Sequence, residues 1–244
     1  MFRVTCCMAK IEIQKYKITK RIQETHNVFL LNLVPEKGEV FDFLPGQFVM
    51  FHIYNQDGTV WKKMPYSLCT PPETKDHIQL GIKVYGEFTQ RTSELKEGDV
   101  VGISGPFGRF IFREEEMKNV MMLAGGIGIT PFLCSIRHAT VRLLSNKITL
   151  IYANHALHDI AFRNEFQILD TKNKNFNIIY ALDHPPAGWR GQTGYVTQEM
   201  IEQNCSDLQN TYFFLCGPPS FMDAILKHLA ELGVENEKIK IEKF

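Results

Sequence analysis

Val120-Met-Met-Leu-Ala-Gly-Gly-Ile-Gly-Ile-Thr-Pro131 reads as an apolar strand that runs into a glycine-rich turn and then a helix. Val120 to Ala124 is a continuous apolar run, the pattern of a strand covered on both faces. Gly125, Gly126 and Gly128 supply a tight turn whose backbone N–H groups can approach a ligand closely. Thr130 is the expected N-cap and Pro131 the first helical residue, where a missing N–H costs nothing. Phe132, Ile136, Ala139 and Leu143 recur at helical spacing and predict a helix whose positive end points into the turn. A pyrophosphate fits such a cradle. The spacing differs from G-x-G-x-x-G, so taken alone the turn is also compatible with a plain strand-to-helix connection.

Working outward, the flanking segments alternate. Apolar strands at Val120–Ala124, Ile148–Tyr152, Phe176–Ala181, Tyr212–Cys216 and Ile239–Ile241 are separated by helical patterns at Pro131–Leu144, Ala161–Asp170, Thr197–Gln203 and Phe221–Leu232. This rhythm predicts βαβ units and a parallel sheet. Upstream the pattern is different. Short runs rich in β-branched and aromatic residues (Tyr16–Thr19, Val28–Val34, Phe48–Tyr54, Ile78–Val84, Val100–Ile103) lie between turns at Gly38, Gly46, Gly58 and Gly98. They predict a small antiparallel barrel, with one short helix around Phe88–Leu95. Two domains follow, residues 1–115 and 116–244, divided in the charged stretch after Gly105-Pro-Phe-Gly108.

The 244 residues carry 27 basic and 27 acidic side chains, a balance that favours neither nucleic acid nor an anionic membrane as partner. No apolar run is long enough to span a bilayer, and Met1–Ala9 lacks the apolar middle of a secretion signal, so a cytoplasmic protein is expected. The six cysteines are scattered without the spacing of a zinc site or an iron–sulfur cluster, and no metal is expected.

Three further stretches carry chemistry. Pro65-Tyr66-Ser67-Leu68 sets an aromatic ring beside a hydroxyl at a strand end, a pair suited to stacking on a flavin and bonding its reactive edge; an ordinary strand tyrosine has the same appearance. Gly86-Glu87-Phe88-Thr89 offers a turn whose N–H groups and Thr89 hydroxyl can hold a phosphate. Tyr212-Phe-Phe-Leu-Cys216-Gly217-Pro218 delivers a thiol to the C-terminal edge of the parallel sheet. Ser220 and Asp223 then form an expected capping box for the last helix, which Gly233 closes. Cys216 is equally compatible with a buried core thiol.

In this order the segments resemble the ferredoxin-NADP reductase superfamily over nearly the whole chain. The residues that carry the resemblance are Pro45-Gly-Gln-Phe48, Met64-Pro-Tyr-Ser67, Gly86-Glu-Phe-Thr89, Gly105-Pro-Phe-Gly108, Gly125-Gly-Ile-Gly-Ile-Thr-Pro131 and Cys216-Gly-Pro218. Tyr180–Asp183 through Trp189–Tyr195 is similar to stand-alone NADH-dependent members that reduce haem or iron–sulfur proteins. The resemblance implies an N-terminal flavin-binding barrel, a Rossmann-like nicotinamide domain, and hydride transfer from NADH or NADPH to FAD. Electrons would then pass to a separate acceptor such as ferredoxin, flavodoxin or a haem protein, or to a quinone-like molecule. The implied reaction centre comprises Ser67, Cys216, Glu242 and Phe244, with Tyr66 stacked on the flavin ring, Ser67 at its N5 and Phe244 covering it. Implied cofactor contacts fall on Met64, Pro65, Tyr66, Ser67, Leu68, Lys83, Val84, Gly86, Glu87, Phe88 and Thr89 in the barrel. In the second domain they fall on Gly126, Gly128, Thr130, Pro131, Asn154, His155, Cys216, Gly217, Pro218, Met222 and Phe244.

Met64 stands where the family has an arginine that neutralises flavin phosphate. Lys62, Lys63, Lys83 or Arg91 can take its place, or FMN replaces FAD, or the chain is a flavin-deficient regulatory or electron-relay subunit. Asn154-His155-Ala156, at the place that selects the coenzyme, leans toward NADH over NADPH.

Overall fold

The computed structural model describes residues 12–243. Phe244, Cys6 and Cys7 lie outside them. The N-terminal part consists of β1 (Gln14–Gln23), β2 (Val28–Pro35), β3 (Phe48–Tyr54), β4 (Val60–Ser67), β5 (Ile78–Lys83), α1 (Glu87–Ser93) and β6 (Val100–Phe107). The strands form an antiparallel sheet in the order β4-β3-β6-β1-β2-β5, and a bridge between Leu68 and Leu80 brings its two ends together. Tyr16, Ile18, Phe29, Leu31, Leu33, Val49, Phe51 and Ile53 fill the interior. Strand β2 is apolar on both faces because Phe29 and Leu31 point into the barrel while Val28 and Leu30 pack against the second domain.

The second part contains β7 (Asn119–Gly125), α2 (Thr130–Val141), β8 (Lys147–Asn154), α3 (Arg163–Lys172), β9 (Phe176–Leu182), β10 (Gln192–Thr193), α4 (Gln198–Gln203), β11 (Thr211–Cys216), α5 (Pro219–Glu231) and β12 (Ile239–Glu242). Its sheet is wholly parallel, in the order β10-β9-β8-β7-β11-β12. The period of two in β7 explains why every residue of the run is apolar. Val120, Met122 and Ala124 face the α2 and α3 side, while Met121 and Leu123 face the α4 and α5 side. Strand order reverses between β7 and β11, the switch point at which open α/β sheets hold ligands. Among the described residues, no helix is long and apolar enough to cross a membrane.

Two helix starts differ from expectation. The glycine turn winds into a 3-10 segment at Gly126–Ile129 that is continuous with α2, so Thr130 is already helical. Its hydroxyl donates back to the Ile127 carbonyl at 3.2 Å and caps nothing. Likewise α5 begins at Pro219, which puts Ser220 inside the helix with no side-chain cap.

The end of α2 also departs from its apolar pattern. Phe132, Ile136 and Ala139 are buried, but Leu143 is 86% exposed and left-handed at φ 53°. The helix stops at Arg142 in a Schellman arrangement, with Leu144 N–H bonding the Ala139 carbonyl at 2.9 Å and Leu143 in the position glycine usually takes. Leu143→Gly is therefore expected to stabilise the fold by about 1 kcal/mol, read as a higher denaturant midpoint at unchanged slope. A lower midpoint would show that Leu143 makes a contact worth more than its strain.

Polar links as well as apolar contacts join the two parts. The Arg137 guanidinium on α2 is bidentate on Glu165 (2.6 and 2.7 Å) and also donates to the Cys69 carbonyl (2.9 Å) and Gln79 (3.0 Å) of the barrel. His138 lies between Glu73 (2.8 Å) and Glu114 (3.1 Å). Glu24 accepts the Phe162 backbone N–H at 2.6 Å.

Candidate active site

A cleft opens where the barrel meets the glycine turn. It is lined by Met64, Pro65, Tyr66 and Ser67 of β4, Gly81 and Lys83 of β5, Tyr85, and Ile127 and Thr130 across the seam. Gly81 allows this approach, since a Cβ there would lie 2.9 Å from Thr130 Cγ2. Tyr66 is held by an edge contact to Phe51 (centroids 5.9 Å apart) and a near-parallel one to Phe88 (6.3 Å). Burial raises its hydroxyl pKa well above the usual tyrosine range, so the ring stays neutral. Beside it the Ser67 Oγ is buried with no hydrogen-bond partner. An orphaned hydroxyl of this kind costs about 1–3 kcal/mol unless something fills the cleft and pairs with it. A flat heteroaromatic group with polar edges meets both demands.

Behind the cleft, the sheet register aligns Ala124, Cys216 and Glu242 in one row across β7, β11 and β12. Gly128 rests directly on the Cys216–Gly217 peptide, and a Cβ on Gly217 or Gly125 would press into Phe221. These glycines therefore serve turn-against-turn packing. Gly126, at φ 53°, is the one of these at which an added Cβ would meet open space. Cys216 is fully buried and absent from the cleft lining. Desolvation, with the Glu242 charge adding to it, holds its thiol well above the ordinary pKa, so it remains protonated. Burial also pushes the Glu242 carboxyl up to about 7.

Other expected contact residues are distributed as follows. Leu68 is core and pairs with Leu80, and Phe88 is core under Trp61, whose ring stacks on it at 5.9 Å. Val84 packs on the barrel core from its edge. The Thr89 hydroxyl accepts from the Tyr85 and Gly86 N–H groups and donates to the Gly86 carbonyl, so it shapes the turn and is not free for a phosphate. Glu87 lies at the helix start, 3.4 Å from Lys62. Pro131 and Met222 are buried, and Pro218 is exposed above Gly125. Asn154 is buried at the C-terminal end of β8 with both ends of its amide unpartnered. His155 follows it, exposed, 2.9 Å from Asp183. Of the basic residues that can replace the missing arginine, Lys83 lines the cleft, whereas Arg91 is stacked over Trp61 at 4.3 Å. The residues missed from sequence are Gly81, Tyr85 and Ile127, which become neighbours only through the closed barrel and the domain seam.

Residues 15–112 match the oxidoreductase FAD-binding domain, and residues 122–227 match the oxidoreductase NAD-binding domain. The chain belongs to the ferredoxin reductase-like family of FAD- and NAD-binding oxidoreductases. Within this family it is 33% identical to NADH–cytochrome b5 reductase 1 of Arabidopsis thaliana, over 95% of this chain and 84% of that protein. It is 35% identical to NADH-cytochrome b5 reductase 2 of Mycosarcoma maydis over 71% of this chain, a match that spans about half (51%) of that protein's length. The cytochrome b5 reductase domain of Ulva prolifera nitrate reductase superposes with a TM-score of 0.84 at 26% identity, covering 96% of this chain and 97% of that one. The two-domain reductase fold, the FAD and nicotinamide domains and the flavoprotein reductase class all agree with the sequence reading.

Proposed function

We propose that the chain is an NADH-dependent reductase that passes electrons singly to a separate haem protein of the cytochrome b5 kind. The flavin unit would span residues 1–115 and the nicotinamide unit 116–244. The observation that carries this reading is the cleft at the seam, where Tyr66 and the unpartnered Ser67 hydroxyl meet the turn at Ile127 and Thr130. The named relatives support NADH and a cytochrome acceptor over the ferredoxin and flavodoxin also implied by the resemblance. When bound, the two cofactors supply hydride transfer and then one-electron release. The chain's own residues position and shield. Tyr66 provides the stacking face, Ser67 donates a hydrogen bond at the reactive edge, and Lys83 offsets flavin phosphate charge in the absence of an arginine at Met64. Gly126, Thr130 and Asn154 border the coenzyme groove, while Cys216 and Glu242 form its back wall and exclude water.

The test is a visible spectrum of the purified protein under anaerobic NADH, then NADPH, followed by cytochrome b5. A yellow protein bleached by NADH and reoxidised by the cytochrome is expected. In Ser67→Ala the flavin spectrum should persist while the bleaching rate falls about tenfold, the worth of one hydrogen bond at the reaction centre. An unchanged rate would remove Ser67 from the reactive edge. Met64 favours a second reading, the flavin-deficient nucleotide-binding subunit, and a colourless protein that rejects added FAD would establish it.

A further inference from the structure

The parallel register of β8 and β9 sets Asn154 opposite Leu182, so the next residues of each strand, His155 and Asp183, emerge side by side. His184 N–H donates to the His155 carbonyl at 2.8 Å and fixes the two strand ends to one another. On this frame the His155 and His184 Nδ1 atoms converge on a single oxygen, Asp183 Oδ1, at 2.9 and 3.2 Å. The two rings lie 4.2 Å apart, and all three ligand atoms are within 4.8 Å of one another. The imidazoles are 64% and 70% exposed, so apolar burial does not account for their convergence. Tetrahedral zinc, with bonds of about 2.0–2.2 Å to nitrogen and oxygen, sets its ligand atoms roughly 3.3–3.5 Å apart, within a few tenths of an ångström of the two nitrogen–oxygen spacings present.

We propose that His155, Asp183 and His184 form a binding site for a divalent transition metal of the zinc class, and that its occupancy excludes the nicotinamide coenzyme. Two imidazole nitrogens and one carboxylate oxygen supply three ligands, and water completes the tetrahedron. The site sits at the C-terminal edge of β8 and β9, the edge at which open α/β sheets receive their ligands. Its exclusion of coenzyme rests on the reading of Asn154 and His155 as part of the coenzyme groove. A second cluster, His26, His158 and Asp159, has wider separations of 3.7 and 4.0 Å and serves as the internal comparison.

The experiment is a calorimetric titration of zinc chloride into the flavin-loaded protein, in a buffer that does not chelate, for wild type, His184→Ala and His158→Ala. One equivalent is expected to bind to wild type and His158→Ala, with affinity at least about tenfold weaker in His184→Ala. Equal affinity in His184→Ala, or loss in His158→Ala instead, would overturn the assignment. NADH is then titrated with and without saturating zinc. The apparent Kd should rise at least about tenfold in wild type and stay constant in His184→Ala, whose zinc-free coenzyme binding matches wild type. A Kd indifferent to bound zinc would overturn the exclusion. Failure of NADH to bind without zinc would overturn the coenzyme reading, and the exclusion with it, while the zinc titration would still decide the metal site.

Discussion

Gly128→Ala is expected to destabilise the protein by about 2–3 kcal/mol and to weaken coenzyme binding with it. The added Cβ would fall on the Cys216 carbonyl and within 2.8 Å of the Gly217 nitrogen, and both are backbone atoms that cannot rotate aside. Relief requires the turn after β7 to separate from the turn after β11, which opens the switch point of the sheet. For a chain of this length the melting temperature should drop by roughly 4–12 °C. Gly126→Ala is the control. Its neighbourhood is empty, so only the left-handed backbone is strained, at about 1 kcal/mol. Equal losses in the two variants would mean that the contact between the turns is soft and does not set the geometry of the groove.

Arg137→Met should cost about 3 kcal/mol and make the two halves unfold less cooperatively. The variant keeps apolar volume but strands Glu165, the Cys69 carbonyl and Gln79, which now receive four donated bonds from one side chain. Removing one member of a part-buried pair leaves the other charge desolvated, and the lower end of the usual range applies because Glu165 keeps access to water. Lysine should rescue little, since a point charge cannot reproduce the planar fork. Denaturant unfolding followed separately by near-ultraviolet dichroism and flavin fluorescence measures this. Coincident curves with wild-type midpoints would show that the seam is held by its apolar contacts alone.

What could be read from sequence follows physical range. The strand runs Val28–Val34, Phe48–Tyr54 and Val120–Ala124 were legible because burial on one or both faces writes itself into the local pattern. Strand β4 was legible only at its end, Pro65–Ser67, since Lys62 and Lys63 interrupt the apolar signal ahead of it and Pro65 argues against a longer strand. The fold tolerates that proline because β4 pairs with β3 and otherwise only at Leu68. Helix caps at Thr130 and Ser220 were misplaced by one or two residues because the tight turns themselves wind into the helices. Tyr66 and Ser67 could be named as a pair because they are adjacent in the chain. The links from Arg137 to Cys69 and Gln79, and from His155 to Asp183, span 28–68 residues and depend on strand register, which no local pattern encodes.

The seam between the halves, riveted by Arg137, His138 and Glu24, has a mechanical consequence. A joint tied at three polar points and sealed by Val28, Leu30 and Phe162 does not hinge cheaply. Compliance is left to the rim. Strand β12 has four residues, is paired only to β11 among the described residues, and carries Glu242 to the wall of the groove. Such an edge frays for a small fraction of the global unfolding free energy. Under the proposed reading, coenzyme arrival and departure would be metered by the breathing of this one short ribbon, and turnover would inherit the temperature dependence of that fraying and not of a domain swing.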